Sequence, residues 1–152
     1  LGLSRIAIHL DLDKKLPTIT GDPEKLRQVF VNLINNAHHA MQEMNGGDLF
    51  LRSRRQAGKV LIEVRDTGHG VPEKDLARIF DPFFTTKPVG QGTGLGLSVS
   101  YGIIHDHGGT IEVESPVRDA EMGILAGTVF RIALPANAGD EQQTADQASF
   151  GA

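Results

Sequence analysis

One stretch, from Asp22 to Gly47, constrains the fold of this chain more than any other. Wound as a helix, Leu26, Phe30, Leu33, Ala37 and Met41, with Val29, Ile34 and Ala40, fill an arc of roughly 140°. Gly21-Asp22-Pro23 opens that helix, with Asp22 as N-cap and Pro23 at the first helical position, and Gly46-Gly47 reads as its stop. Asn32 and Asn36 are four apart and share one edge of the arc, with His39 and Glu43 close by.

The flanks read mostly as strands. Ile6 to Leu10 and Thr18 to Thr20 are expected as short strands joined by the polar turn Asp13-Lys14-Lys15. After the helix, Leu49 to Leu51 and Val60 to Thr67 form a hairpin about Ala57-Gly58-Lys59. In the second of these strands Val60, Ile62 and Val64 share a face and Glu63 and Arg65 take the other, so parity turns Asp66 inward. An inward carboxylate needs a donor, because an unpaired buried charge is too costly to keep. Gly68 and Gly70 let the chain turn tightly beside it.

A short helix is expected around Asp75 to Ile79, and residues 80 to 95 read as a mobile flap. A second long helix runs from Leu95 to about His107 and ends at Gly108-Gly109. Thr110 to Glu114 and Thr128 to Leu134 alternate as half-buried strands, joined by a long connection at 116–126 that reads as a solvent loop. From Ala136 on there is almost nothing to bury, so the domain is taken as 1–135 and residues 136–152 as a disordered tail.

Composition narrows the function. A chain of 152 residues is one domain with room for a core, and its net charge of −4 offers no electrostatic footprint for nucleic acid. The absence of cysteine removes disulfides, thiolate metal sites and cysteine nucleophiles together. No run approaches the roughly 18 apolar residues that span a bilayer, so the expected location is cytoplasmic, with a membrane anchor elsewhere in a parent protein left open.

Gly90-Gln91-Gly92-Thr93-Gly94-Leu95-Gly96-Leu97-Ser98 then supplies chemistry. Alternating glycines allow backbone amides to approach a ligand, and the helix that follows begins with unpaired N–H groups suited to phosphate. The dinucleotide pattern G-x-G-x-x-G fails, since its third glycine would fall on Leu95 or Leu97. A P-loop fails too, because no Lys-Ser or Lys-Thr pair follows the glycines.

Taken together, five stretches over residues 5 to 135 resemble the ATP-binding catalytic domain of bacterial two-component sensor histidine kinases, in the form typical of nitrogen-regulation-type sensors. Asn32-Leu33-Ile34-Asn35-Asn36-Ala37 is similar to the N box, and Asp66-Thr67-Gly68-His69-Gly70 to the first glycine box. Phe80 to Lys87 resembles the F box, Gly92 to Ser98 the second glycine box, and Gly127-Thr128-Val129-Phe130 the last. The resemblance implies the GHKL fold, an α/β (α+β) two-layer sandwich whose mixed, mostly antiparallel sheet is covered on one face by about three helices.

It also implies roles. Asp66 would accept a hydrogen bond from the adenine amino group, between the turns at Gly68 and Gly70. Asn36 would ligate Mg²⁺ through its amide oxygen, shared with phosphates and waters. Asn32, Asn35 and His39 are candidates for phosphate or water contacts. Phe80 and Thr128 belong to boxes at the nucleotide site, Lys87 would approach the phosphates, and the backbone of Gly92, Thr93, Gly94, Leu95 and Gly96 would hold them. Asn36 and Lys87 thereby become the catalytic candidates, and ATP and Mg²⁺ the cofactors.

The acceptor would be a histidine on a separate upstream dimerisation domain, with a response regulator receiving the phosphoryl group afterwards. The full-length protein would be a homodimer and the isolated domain a monomer. His9 is followed by Leu10 in an apparent strand and reads as structural, so the chain is expected to bind ATP without phosphorylating itself. ATPases of the same fold resemble one another in carrying Glu at the position of Asn32, where it orients water as a base. Asparagine cannot take a proton, which favours transfer over hydrolysis. The alternatives are a nucleotide-binding regulatory module without catalysis, a GHKL-fold ATPase, and a serine kinase.

Overall fold

The computed structural model describes residues 5–85, 95–119, 121 and 123–138. Helix α1 spans Pro23–Gln42, and its start follows the sequence directly. Asp22 sits in extended backbone, and its side chain accepts from the Glu24 and Lys25 amides at 3.0 and 3.3 Å. The apolar arc is real: Val29, Leu33, Ala37 and Met41 are at most 2% exposed.

Five strands form the main sheet in the order β1-β2-β3-β7-β4, where β1 is Arg5–Leu12, β2 Gly46–Gln56, β3 Lys59–Asp66, β4 Thr110–Glu114 and β7 Thr128–Pro135. β1 runs parallel to β2, and every other pair is antiparallel. The β2–β3 hairpin turns through Ala57 and Gly58, at φ 48° and 77°. Helix α1 lies over β2 and β3, and α3 (Gly96–Asp106) packs beside it and against β4. The short helix α2 is Glu73–Leu76. Core side chains from α1 and α3 meet Leu49, Val64, Phe130, Ile132 and Leu134 of the sheet. The expected mixed, mostly antiparallel sheet under helices on one face is the architecture observed.

His107 ties the two long helices at their far ends. Its Nδ1 donates to the Ile103 carbonyl at 2.7 Å and its Nε2 accepts from the Asp22 amide at 3.0 Å, which fixes the tautomer.

Several expectations change. Thr18 to Thr20 are not a strand: they are bound to one residue, Asn137, whose amide N–H reaches the Thr18 carbonyl at 2.9 Å and whose side chain meets both threonine hydroxyls. Asn137 is therefore fastened to the fold, although it falls in the stretch read as a tail, and residues 139–152 lie outside those described. Gly46-Gly47 does not end α1, which stops at Gln42 before a left-handed Asn45 (φ 62°). Those glycines open β2 instead, because a Cβ on Gly46 would stand 2.3 Å from the Arg5 carbonyl oxygen of the neighbouring strand.

The short helix expected at Asp75 to Ile79 begins and ends earlier, at Glu73–Leu76, and continues as turns to Phe80. The connection at 116–126 is a ribbon, β5 (Val117–Asp119) paired with β6 (Gly123–Leu125), and Val117 is 4% exposed. Of the flap expected at 80–95, residues 86–94 lie outside those described.

Candidate functional site

At one end of the sheet the tips of β3 and β7 face the middle of α1 and the start of α3 across a cavity of ≈ 410 Å³. Asn32, Asn36, His39, Asp66, Gly70, Gly96 and Thr128 of the candidate residues line it. Separated by up to 96 positions in the chain (Asn32 to Thr128), they meet because α1 crosses over β3 while β7 pairs with it, setting Asp66 opposite Thr128. Asn35 lines the same space.

Asp66 is 4% exposed, as strand parity required. Its Oδ1 accepts from the Gly68 amide at 2.8 Å. Burial pushes its pKa above the usual aspartate range, while the Gly68 amide, the His69 charge and the Thr128 amide pull it back. Gly68 is not in the cavity wall. It is glycine for a different reason: a Cβ there would stand 2.6 Å from Ala40 Cβ, so only glycine lets the loop touch α1 this closely.

The other end of the cavity is less fully bonded. Gly96 opens α3, whose N-cap position, Leu95, offers no side-chain cap, and Gly96 and Leu97 of its first turn line the cavity. The half-buried Asn36 amide makes no hydrogen bond to any described residue. Asn32 is different: its Nδ2 donates to the Gly96 carbonyl at 3.2 Å and lies 3.3 Å from Ser100 Oγ, so it braces α1 against α3. Among the described residues no group of three or more His, Asp or Glu side chains forms a metal cage. The Asn36 side chain offers one amide oxygen, a donor of the kind that suits a magnesium ion whose other ligands are phosphate and water oxygens.

Phe80 stands behind the wall, with its ring centroid 5.4 Å from Tyr101 and 6.3 Å from Phe130. The phenylalanines that do line the cavity are Phe84 and Phe130, with Arg78 over the Phe84 ring at 4.9 Å. Leu95 is the N-cap of α3 and does not line the cavity. Lys87, Gly92, Thr93 and Gly94 lie outside the described residues.

Sequence reasoning passed over one pair. His69 Nδ1 is 2.7 Å from the Gly70 carbonyl and its Nε2 is 3.2 Å from Glu43 Oε2. Both partners are hydrogen-bond acceptors. The proximity of Glu43 to the Asn32–Asn36 edge was the available signal. His9, read as structural, stacks on Phe50 with centroids 4.7 Å apart and bonds Asp48 at 2.9 Å.

Residues 21–138 match the family described as histidine kinase-, DNA gyrase B- and HSP90-like ATPases. Sporulation kinase E of Bacillus subtilis (strain 168) is 42% identical over 147 residues, 96% of this chain and 18% of that protein. The sensory histidine kinase/phosphatase NtrB of Azospirillum brasilense is 37% identical over 137 residues, 81% of this chain and 32% of its own length. The solved catalytic domain of histidine kinase ThkA superposes with a TM-score of 0.71 at 34% identity, covering 89% of this chain and 82% of that one. This chain thus spans less than a third of either full-length relative.

Proposed function

Because the chain belongs to the histidine kinase-, DNA gyrase B- and HSP90-like ATPases, and corresponds to the catalytic domain of their histidine kinase members, we propose that it binds Mg²⁺-ATP and transfers the γ-phosphoryl group to a histidine on a separate dimerisation domain. One observation carries this reading: a buried carboxylate, an asparagine amide with no hydrogen bond to a described residue and the first residues of α3 share one cavity.

Asp66 accepts from the adenine amino group, where a guanine carbonyl would be repelled. Thr128 and Gly70 complete that end. Asn36 ligates the metal, whose chemistry is to neutralise phosphate charge as it shifts toward the leaving group. The amides of Gly92, Thr93, Gly94 and Gly96, with Lys87, hold the phosphates. The reaction asks little covalent work of these residues: they align the γ-phosphoryl group and exclude water, and positioning carries most of the rate.

Hydrolysis is disfavoured at Asn32. Its amide already bonds α3 and has no basic site with which to take a proton from water. Among the described residues no helix is long and apolar enough to cross a membrane, and the partners of this reading are an upstream dimerisation domain and, through it, a response regulator.

The test mixes the chain with a matching histidine-bearing domain and γ-labelled ATP. Acid-labile, base-stable label on that domain is the expected product, with none on the chain alone. Acid-stable label would indicate a serine kinase, and rapid turnover without an acceptor an ATPase. Binding without transfer would leave a regulatory module.

A further inference from the structure

Behind the base end of the cavity lies a buried hydroxyl that none of these roles uses. Ser115 follows β4, is 7% exposed, and brings its Oγ to polar atoms of two other segments. The Val71 amide donates to it at 2.8 Å, the Gly127 carbonyl lies 2.8 Å away, and Thr128 Oγ1 is at 3.2 Å. Valence fixes the direction of all three bonds. An amide only donates and a carbonyl only accepts, so Ser115 accepts from Val71 and gives its single proton to Gly127. Only a lone pair is left for Thr128, which must be the donor. Thr128 lines the cavity, and with its one hydroxyl proton used on Ser115 its oxygen has only lone pairs left for any other partner.

We propose that Ser115 is a positioning residue for base recognition: by taking the Thr128 proton it makes the base end an all-acceptor surface, Asp66 and Thr128 together, which selects a purine carrying a 6-amino group over one carrying a 6-carbonyl. This rests on the adenine reading of Asp66 and deepens it. An amino group brings two N–H donors to two acceptors. A 6-carbonyl brings lone pairs instead; the N1–H beside it can reach one acceptor, and the acceptor left facing the carbonyl in a desolvated site costs affinity. Were Thr128 free to rotate, its proton would swing toward a carbonyl and discrimination would rest on Asp66 alone.

Titration of the chain with ATP and with inosine triphosphate, which carries the 6-carbonyl, tests this in three variants beside the parent. The parent prefers ATP. Ser115→Ala lowers the ATP:ITP affinity ratio about five-fold, the size of one neutral hydrogen bond. Thr128→Val removes the hydroxyl, keeps its shape and leaves the other two Ser115 bonds in place; it lowers the same ratio. A purely structural brace would weaken both nucleotides alike. A ratio unchanged from the parent in Thr128→Val, or in folded Ser115→Ala, overturns the inference. Asp66→Asn reports separately on the underlying reading, because unchanged ATP affinity there removes the adenine contact whatever Ser115 does.

Discussion

The two ends of the cavity are built on opposite plans. At the end proposed for the base Asp66, Ser115 and Thr128 are each 7% exposed or less and are bonded to one another's segments, with the strand tips of β3, β4 and β7 converging on them. At the end proposed for the phosphates the Asn36 side chain is unbonded among the described residues and α3 starts without a side-chain cap from Leu95. A flat base of fixed shape rewards a preorganised partner, since nothing must be ordered on binding. Phosphates with their metal bring charge and oxygens of their own, and they suit groups whose hydrogen bonding the fold has left incomplete.

The largest effect is expected where the base end is most tightly built. Gly127 has φ 107°, and a Cβ there would stand 2.0 Å from the Asp66 carbonyl oxygen. Gly127→Ala should cost about 3 kcal/mol of stability by chemical denaturation and abolish ATP binding with it. Next comes Asp66→Asn, which should weaken ATP by about 10- to 100-fold in calorimetry, the range for a bond to a charged group, with the circular dichroism spectrum unchanged.

The phosphate end should respond more selectively. Asn36→Ala is expected to weaken Mg²⁺-ATP about ten-fold while adenosine binding, measured in parallel, stays the same. If adenosine weakens equally, the division into two ends is wrong.

The smallest effect is in pH dependence, and its sign separates the base end from the sheet's surface. Burial raises the Asp66 pKa, so the folded state holds that proton more tightly than the unfolded chain. Its contribution is present below the unfolded value and is lost as pH rises through the folded one. Glu114 has the opposite sign: the Arg131 hydrogen bond, 2.7 Å long, lowers its pKa, so its contribution is present above the unfolded value and is lost as pH falls through the folded one. Melting temperatures of Asp66→Asn and Glu114→Gln against the parent from pH 3 to 7 should therefore show differences that change in opposite directions.

Much of this site could be read from residues alone. Parity along β3 turned Asp66 inward, and a four-residue spacing put Asn32 and Asn36 on one helix edge; both line the cavity. What escaped were features made by residues far apart in the chain. Asn137 binding Thr18 took the place of an expected strand, and Gly46 proved to be a site of strand contact where a helix stop was expected. Phe80 and Phe84 carry the same side chain four positions apart, and only packing against Tyr101 and Phe130 draws Phe80 out of the wall.

By itself the sequence determined the helix that begins at Asp22, the hairpin, the inward carboxylate and the family to which they belong. These follow from local periodicity, capping and turn chemistry, which act over a few residues. Tertiary structure alone decided that Asn32 braces α3, that His69 meets Glu43, and that Ser115 takes the Thr128 proton. A hydrogen bond's direction depends on every partner an atom has, and those partners are brought together only when the sheet closes under its helices.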